Sequence, residues 1–571
     1  MCYLIAMDDV VWTLPPPSEK AAPLAEALGW PSPLGQVLVN RGLDDPVLAR
    51  RFLNGGPSDL CDPFLMAGMS EAADRVEKAI AGGEGVLIFG DYDVDGILSV
   101  VMLHRALSAL GARADFFIPD RLREGYGIKE THAEVAADRR ARLVISVDCG
   151  IKAVEFVRQA RRRGVDVIIT DHHQPGPELP QAAAILNPAL PDSTYPDRGL
   201  AGVGVTFKLI QALFERAGRK DDLRPYLGFA AVGTVADVAD LRGENRILVK
   251  HGLRDLDRIP NPGLQSLIGA SGLGGRRISE SDVGFKLGPR INAAGRMGET
   301  DLAVRLLFST SAEEADAFAR RLEVLNSQRQ AAEDRIYRQA RERILSRGLA
   351  DRYRILILGD EGWLRGVVGI VASRLKDDFR RPVILLAYDG DHAFGSGRSI
   401  PEYSLIDGLA ACAGTLTSFG GHPYAVGCTL ARGRMPAFRE AANRAAEERL
   451  PAEALRRRLR LDAKLGLAAI DGRLWEGLSL LDPYGVGNPR PVFLAEGVEV
   501  AGPPKRLRGR HAKFLARQDG RTFEAIAWER ASWTEGVSPG DLVDLAFTLQ
   551  SSSYFGEEQP YLGLTGLRRS A

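Results

Sequence analysis

Val86-Leu87-Ile88-Phe89-Gly90-Asp91-Tyr92-Asp93-Val94-Asp95-Gly96 decides how this 571-residue chain is read. Four consecutive apolar residues mark a strand buried on both faces, and three carboxylates follow directly at its end. The same pattern recurs downstream. Asp115-Phe116-Phe117-Ile118, Leu143-Val144-Ile145-Ser146-Val147 and Val165-Asp166-Val167-Ile168-Ile169 read as further strands, with helical patterns over Ile97 to Leu110 and Ala153 to Arg163 between them. Strands alternating with helices predict a parallel sheet covered on both sides, whose ligands bind beyond the carboxyl ends of the strands. Asp148 stands at one such end, Asp171-His172-His173 at another, and Asp237 closes a helical segment further on.

Carboxylates mixed with imidazole suit Mn²⁺ or Mg²⁺, and no thiolate set is present for zinc. So many acids at one sheet edge repel one another unless cations neutralise them. Two ions sharing a carboxylate can activate water and clamp a phosphate for in-line displacement. An Asp-x-Asp turn alone means little in a chain with 74 acidic residues, but His172-His173 uses two of only eight histidines. Three acidic strand ends together with that pair point to a metal site.

Outward from this core, residues 1–74 contain Pro15-Pro16-Pro17 and read as an arm leading into a first domain over 75–310. No Gly or Pro occurs from Glu299 to Arg347, and Ser311-Ala312-Glu313-Glu314 matches a capping box. Apolar residues then recur at three- and four-residue multiples, so a connecting helix over 311–347, about 50 Å long, is expected to bridge two lobes. A second α/β unit over 348–455 holds Ile355-Leu356-Ile357-Leu358, a helix near Val367 to Lys376, and Val383-Ile384-Leu385-Leu386. Residues 456–571 lose helical periodicity and read as a small β-barrel. The fold class expected is therefore α/β, a larger parallel-sheet domain and a smaller α/β domain joined by a long helix, with a C-terminal barrel.

Lys plus Arg and Asp plus Glu both number 74, so net charge is zero, and the pI is near 7.1. A nucleic-acid module is commonly basic; here any such face must be local. Residues 501–517 meet that condition, with Lys505, Arg506, Arg508, Arg510, Lys513 and Arg517, no acid, and His511 and Phe514 interleaved. Cations tracking phosphates beside aromatics that stack on bases suit single strands. No apolar run approaches membrane-spanning length, so no membrane association is expected. The five cysteines form no C-x-x-C pair, which fits a reducing, bacterial-type cytoplasm. The start lacks the features of a signal peptide, and Met7 is a second candidate start.

The ordered motifs resemble the DHH phosphoesterase superfamily, and within it the RecJ single-strand-specific exonucleases. They are Asp91-Tyr92-Asp93-Val94-Asp95-Gly96, Glu124-Gly125-Tyr126-Gly127, Asp148-Cys149-Gly150, Asp171-His172-His173, Ala201-Gly202-Val203-Gly204-Val205 and Thr234-Val235-Ala236-Asp237. Later come Gly288-Pro289-Arg290-Ile291-Asn292-Ala293-Ala294-Gly295-Arg296-Met297, Gly395-Ser396-Gly397-Arg398-Ser399, Gly420-Gly421-His422 and Tyr484-Gly485-Val486-Gly487-Asn488-Pro489. Together they span the chain from about Trp12 onward.

The resemblance implies a DHH domain, a DHHA1 substrate-binding domain and an OB-fold in that order. It implies two Mn²⁺ or Mg²⁺ ions held by Asp91, Asp93, Asp95, Asp148, His172 and Asp237, with Asp148 bridging and His173 a ligand or its orienting partner. Asp148, His173 and His422 become the catalytic set, His422 meeting the scissile phosphate. Arg290, Ser396 and Arg398 are similar to residues that grip a 5′-terminal phosphate, and Lys505, Arg506, Arg508, Arg510 and Lys513 would follow the downstream strand. The activity implied is 5′→3′ hydrolysis of single-stranded DNA to 5′-mononucleotides in repair and recombination, with a single-strand-binding protein and a helicase as candidate partners. Trp363-Leu364-Arg365-Gly366 departs from the pattern, with leucine where relatives often carry histidine. Two rivals are an oligoribonuclease or cyclic-dinucleotide phosphodiesterase of the same superfamily, and a non-catalytic strand-binding scaffold. The barrel argues against the first and the intact acids against the second.

Overall fold

Gly85–Gly90 (β1), Arg113–Phe117 (β2), Ala141–Val147 (β3), Asp166–Thr170 (β4) and Ala184–Leu186 (β5) form a parallel sheet in the order β2-β1-β3-β4-β5. The structure, a computed structural model, describes residues 10–570 apart from 122–123, 126 and 553–558; Tyr126 of the Glu124-Gly125-Tyr126-Gly127 motif and Met7 lie outside the described residues. Apolar side chains divide by strand parity, as a pleated sheet requires. Val86, Ile88, Leu143, Ile145 and Ile168 join one core, while Leu87, Phe89, Val144, Val167 and Ile169 join the core on the other face. Covering the first face are Val94–Ala109 (α1), Gly202–Arg216 (α2) and Arg224–Ala236 (α3). The helix Val154–Arg162 covers the second through Phe156, Val157 and Ala160.

Register fixes the site. Gly90 pairs with Val147, and Val147 with Thr170, so the next residues, Asp91, Asp148 and Asp171, leave the sheet side by side. The motif loops meet because the strands end level.

Gly288–Arg296 (α4) and Thr300–Phe308 lead into Ala312–Ser346 (α5), one unbroken 35-residue helix whose Ser311 cap accepts the Glu314 N–H. Its first half buries Ala315, Ala319, Leu322 and Leu325 in the first lobe. Its second half buries Ile336, Ala340 and Ile344 in the core of a second lobe. That lobe holds Leu356–Asp360 (β6), Val368–Phe379 (α6), Val383–Asp389 (β7), His392–Arg398 (β8), Ser418–His422 (β9) and Ala425–Ala431 (β10). The sheet order is β9-β10-β8-β7-β6, with only β6 and β7 parallel. Residues 56–451 form one compact unit containing both lobes.

Residues 1–55 and 452–571 form the other unit. Its barrel comprises Phe493–Val500, His511–Gln518, Arg521–Ala527, Leu542–Ser552 and Gln559–Arg569, closed by pairing of Glu499 with Arg517. Where the sequence suggests an arm, residues 10–54 are folded against this unit. Val10–Thr13 pairs in parallel with Arg457–Arg460. The helices Ala21–Leu28, Ser32–Asn40 and Pro46–Asn54 put Leu24, Leu34, Val37, Leu38 and Leu53 into one core with Leu474, Leu478, Phe493 and Phe547. Burying these apolar side chains, at about 1.5–3 kcal/mol each, outweighs the prolines that suggested an arm. Among the described residues, no helix is long and apolar enough to cross a membrane.

Candidate metal centre and the cleft facing it

Asp93 caps α1, its Oδ1 accepting the Gly96 N–H at 3.1 Å, which turns the chain sharply after β1. Asp95 is fully buried and accepts the N–H groups of Gly202 (2.9 Å) and Val203 (2.6 Å) at the N-terminus of α2. A carboxylate at a helix N-terminus is favoured by the exposed amides and the helix dipole. Gly202 also admits the Asp148 carboxylate to the same corner: a Cβ there would lie 2.6 Å from Asp148 Oδ1. Asp237 immediately follows α3 as its C-terminal cap residue.

Asp148 adopts a left-handed backbone, φ 58°, which costs a non-glycine residue about 1–2 kcal/mol. Its N–H bonds to Thr170 O at 3.0 Å, holding the carboxylate towards the neighbouring strand end. His172 Nε2 lies 3.1 Å from Asp148 Oδ1, and His172 Nδ1 lies 3.9 Å from Asp237 Oδ2. Asp171 is the brace beneath them. It accepts from the N–H groups of His172 (2.7 Å), His173 (3.0 Å) and Ile151 (2.8 Å), and its Oδ1 meets His173 Nδ1 at 2.7 Å. That bond fixes the tautomer of His173 and turns Nε2 outward.

Three overlapping groups have ligand atoms within 4.8 Å of one another: Asp91, Asp93 and Asp148; Asp148, His172 and His173; Asp95, His172 and Asp237. Asp148 and His172 are shared between groups. Asp91 Oδ1, Asp148 Oδ1 and His172 Nε2 are buried without a hydrogen-bond partner among the described residues. Buried acceptors left unpaired are costly, and a hard divalent cation satisfies all three. Electrostatics agree. Burial, then the neighbouring acids, pushes Asp91, Asp95 and Asp148 well above the ordinary carboxylate range. Burial and Asp93 push Asp237 up to about 7. Burial and the adjacent His173 push His172 down to about 4, leaving a neutral imidazole able to act as a ligand. Burial also pulls on His173, but the hydrogen bond and charge of Asp171 outweigh it and raise that ring. All six expected ligand residues are thus brought together, and the donor set fits Mn²⁺ or Mg²⁺.

Across the cleft, His422 ends β9 with its ring 6.5 Å from that of His173, nearly parallel. Gly421 makes the turn possible: its φ is +134°, and a Cβ would sit 2.3 Å from Ala425 O. Burial, Lys152 and His173 hold His422 below the usual histidine value, so it is neutral at pH 7.

Beside His422 opens a cavity of 430 Å³ lined by Arg121 and Arg296 of the first lobe and by Arg365, Ser396 and Arg398 of the second, with no carboxylate in its lining among the described residues. Arg296 reaches Gly366 O at 3.1 Å, and Arg398 reaches Ser396 Oγ at 3.3 Å. Burial and the guanidinium groups of Arg121, Arg398 and Arg329 push Arg296 down to about 9; such crowded cations call for an anion. Arg290 is absent from this lining. It points the other way along α4 and pairs with Glu323 at 2.6 Å. Six residues separate the two arginines by more than a turn and a half of helix, so of the Arg290 to which the resemblance points and Arg296, it is Arg296 that lines this cavity.

In the terminal unit, the basic stretch is partly neutralised by facing strands and turns: Arg506 meets Glu535 at 2.8 Å, Lys513 meets Glu524 at 2.5 Å, and Arg510 lies 3.8 Å from Glu529. Lys505 is exposed beside Lys513, and Arg508 sits in the hairpin turn. His511 and Phe514 are buried, 8% and 3% exposed, so the stacking role expected of them is corrected. Parity decides it for Phe514, which faces the barrel core with Ala512 and Ala516; His511, on the opposite parity, is instead covered at the start of the strand, where its Nδ1 accepts the Glu529 N–H at 2.9 Å. Among the described residues of this unit, the exposed aromatic is Trp528, edge-on to His511 at 4.9 Å.

Residues 85–234 match the DHH family N-terminal domain, residues 352–448 the DHHA1 domain, and residues 461–565 the RecJ OB domain. The chain is 38% identical over 550 residues to the single-stranded-DNA-specific exonuclease RecJ of Bacillus subtilis strain 168, covering 96% of this chain and 69% of that protein. It belongs to the RecJ family. The RecJ of Dickeya dadantii is 34% identical over 563 residues, 93% of this chain and 95% of that one. The crystal structure of Thermus thermophilus RecJ in complex with Mn²⁺ superposes with a TM-score of 0.84 at 32% identity, covering 99% of this chain and 80% of that one; the Mg²⁺ complex gives 0.78. That relative was crystallised with Mn²⁺ and with Mg²⁺, the ions that the donor set described above suits. Asp171 lies inside the Asp171-His172-His173 motif, but its bracing role depends on hydrogen bonds that the motif does not encode, and Arg121 lies in no motif. Arg296 and Arg365 were also in view, but nothing in the pattern indicates which arginines face the cleft.

Proposed function

We propose that the chain removes 5′-mononucleotides stepwise from the 5′ end of single-stranded DNA, the substrate named for its RecJ relatives. One observation carries this reading: an acid and imidazole cluster faces, across a single cleft, an acid-free arginine cavity with His422 between them. Asp91, Asp93, Asp95, Asp148, His172 and Asp237 would hold the two ions, with Asp148 shared between them. When bound, such ions lower the pKa of a water molecule and offset charge at the scissile phosphate.

The protein's own groups do the rest. Ser396, Arg398 and Arg296 grip the terminal phosphate, guanidinium forks matching its geometry. That grip sets direction and step, because the next phosphodiester then lies between His173 and His422. Asp171 keeps His173 oriented. Neutral His422 donates a hydrogen bond to a non-bridging phosphate oxygen as charge develops there. Arg290 instead braces α4 against α5. Lys505, Arg506, Arg508, Arg510 and Lys513, with Trp528 replacing His511 and Phe514 as the stacking surface, hold strand downstream.

A single-strand-binding protein and a helicase are the protein partners proposed, repair and recombination the setting, and the bacterial cytoplasm the compartment. Domain boundaries are proposed at 55/56 and 451/452, with α5 connecting the lobes of the central unit. Product analysis on strands labelled at either end tests the activity. Mononucleotides should appear at once from a 5′ label, faster with a 5′ phosphate, in Mn²⁺ or Mg²⁺ and not in chelator. Release of 3′ label first, or internal fragments, would overturn the polarity.

A further inference from the structure

β8 lays Phe394, Ser396 and Arg398 on one face, two residues apart. The pairing of its neighbours orients that face: Ala425 lies opposite both Arg398 and His422, while Thr429 lies opposite Phe394. His422 therefore marks the Arg398 end, and Phe394 lies about 13 Å further along the strand, beyond the terminal-phosphate grip as seen from the scissile bond. There the Arg365 guanidinium stacks on the Phe394 ring at 4.2 Å. It has no carboxylate partner among the described residues.

The floor between the two ends is bare. Gly427 pairs with Ser396, Gly420 pairs with Gly427, and a Cβ on Gly420 would meet nothing within 4 Å. Arg365, seated at the Phe394 end of β8, therefore adds positive charge to the cavity beyond the Ser396 and Arg398 end, spreading the cations along the length of the strand.

We propose that Arg365, stacked on Phe394, forms a second anion subsite beyond the 5′-phosphate grip, which takes the outer phosphates of a strand bearing a 5′-oligophosphate. It rests on the reading of the cavity as the 5′-end pocket. A strand with a 5′-triphosphate is then a direct substrate. Water adds to the phosphorus of the first internucleotide link, the P–O3′ bond breaks, and the 3′ oxygen leaves as a hydroxyl after taking a proton. The products are a nucleoside 5′-triphosphate and a shortened strand with a 5′ phosphate, and no co-reactant besides water is consumed.

The test is isothermal titration of the full chain in EDTA with inorganic phosphate and with tripolyphosphate, the chelator removing metal chelation as a cause. Tripolyphosphate should bind at least about tenfold tighter than phosphate. Arg365→Ala should erase that preference, and Arg365→Lys, which keeps the charge without the flat stacking fork, should restore part of it. In parallel, the Mn²⁺-loaded enzyme given a 5′-triphosphorylated strand should release the first residue as nucleoside triphosphate. Equal affinity for the two anions, or a preference that survives in Arg365→Ala, overturns the second subsite while leaving the 5′-end pocket standing. Failure of both anions to bind, with Arg398→Ala equally silent, would instead remove the pocket itself.

Discussion

Asp237 shows how a single residue reports on the metal centre. Burial and Asp93 raise its carboxyl to about 7 in the metal-free protein, against about 4 in an unfolded chain. The folded state therefore binds the extra proton between those values. Its contribution is fully present below about pH 4 and is lost as pH rises through about 7. In chelator, the melting temperature should fall between pH 5 and 7.5. Saturating Mn²⁺ should reverse the trend, since the ion competes with the proton and binds more tightly as pH rises. Differential scanning calorimetry at four pH values, with and without Mn²⁺, checks both signs; a metal-free transition that climbs over this window contradicts them. At this scale the sequence was largely sufficient for the cluster, because Asp91, Asp148 and Asp171-His172-His173 announce themselves at strand ends. It was insufficient for Arg290 against Arg296, where which side of α4 faces the cleft depends on packing that no local pattern encodes.

The hairpin of β9 and β10 is the element on which the second lobe's chemistry turns. Gly421 holds φ +134° and packs its Cα face against Ala425 O, so Gly421→Ala adds both strain and overlap. The hairpin must open, carrying His422 away from His173. Turnover should drop about 100-fold, as expected for a displacement near 1 Å at a reacting centre. Mn²⁺ affinity should be unchanged, because the metal residues lie on the other lobe. Loss of metal binding in that variant, measured by titration, would show that the lobes are not separable in this way. Other elements were legible where periodicity ran long: α5 was expected over 311–347 and spans Ala312–Ser346. Short ones escaped. β5 has three residues, and the stacking role expected of Phe514 depended on which side of its strand it faces.

Over the whole molecule, the chain's two ends build one unit around a shared core. A fragment of residues 456–571, the domain suggested by loss of helical pattern, exposes Leu474, Leu478 and the barrel residues that Leu34, Val37 and Leu38 cover. It should aggregate or melt at least about 3 kcal/mol weaker than the same fragment joined to residues 1–55; equal stability in urea would contradict the shared core. This arrangement was invisible locally because burial between segments more than 400 residues apart leaves no trace in either. The central proposal, paired ions around Asp148, is tested most directly by anomalous diffraction from crystals grown with Mn²⁺. Two peaks about 3.5–4 Å apart, with Asp148 between them and Asp91, Asp93, Asp95, His172 and Asp237 around them, are expected. A single peak, or ions bound away from Asp148, would contradict it.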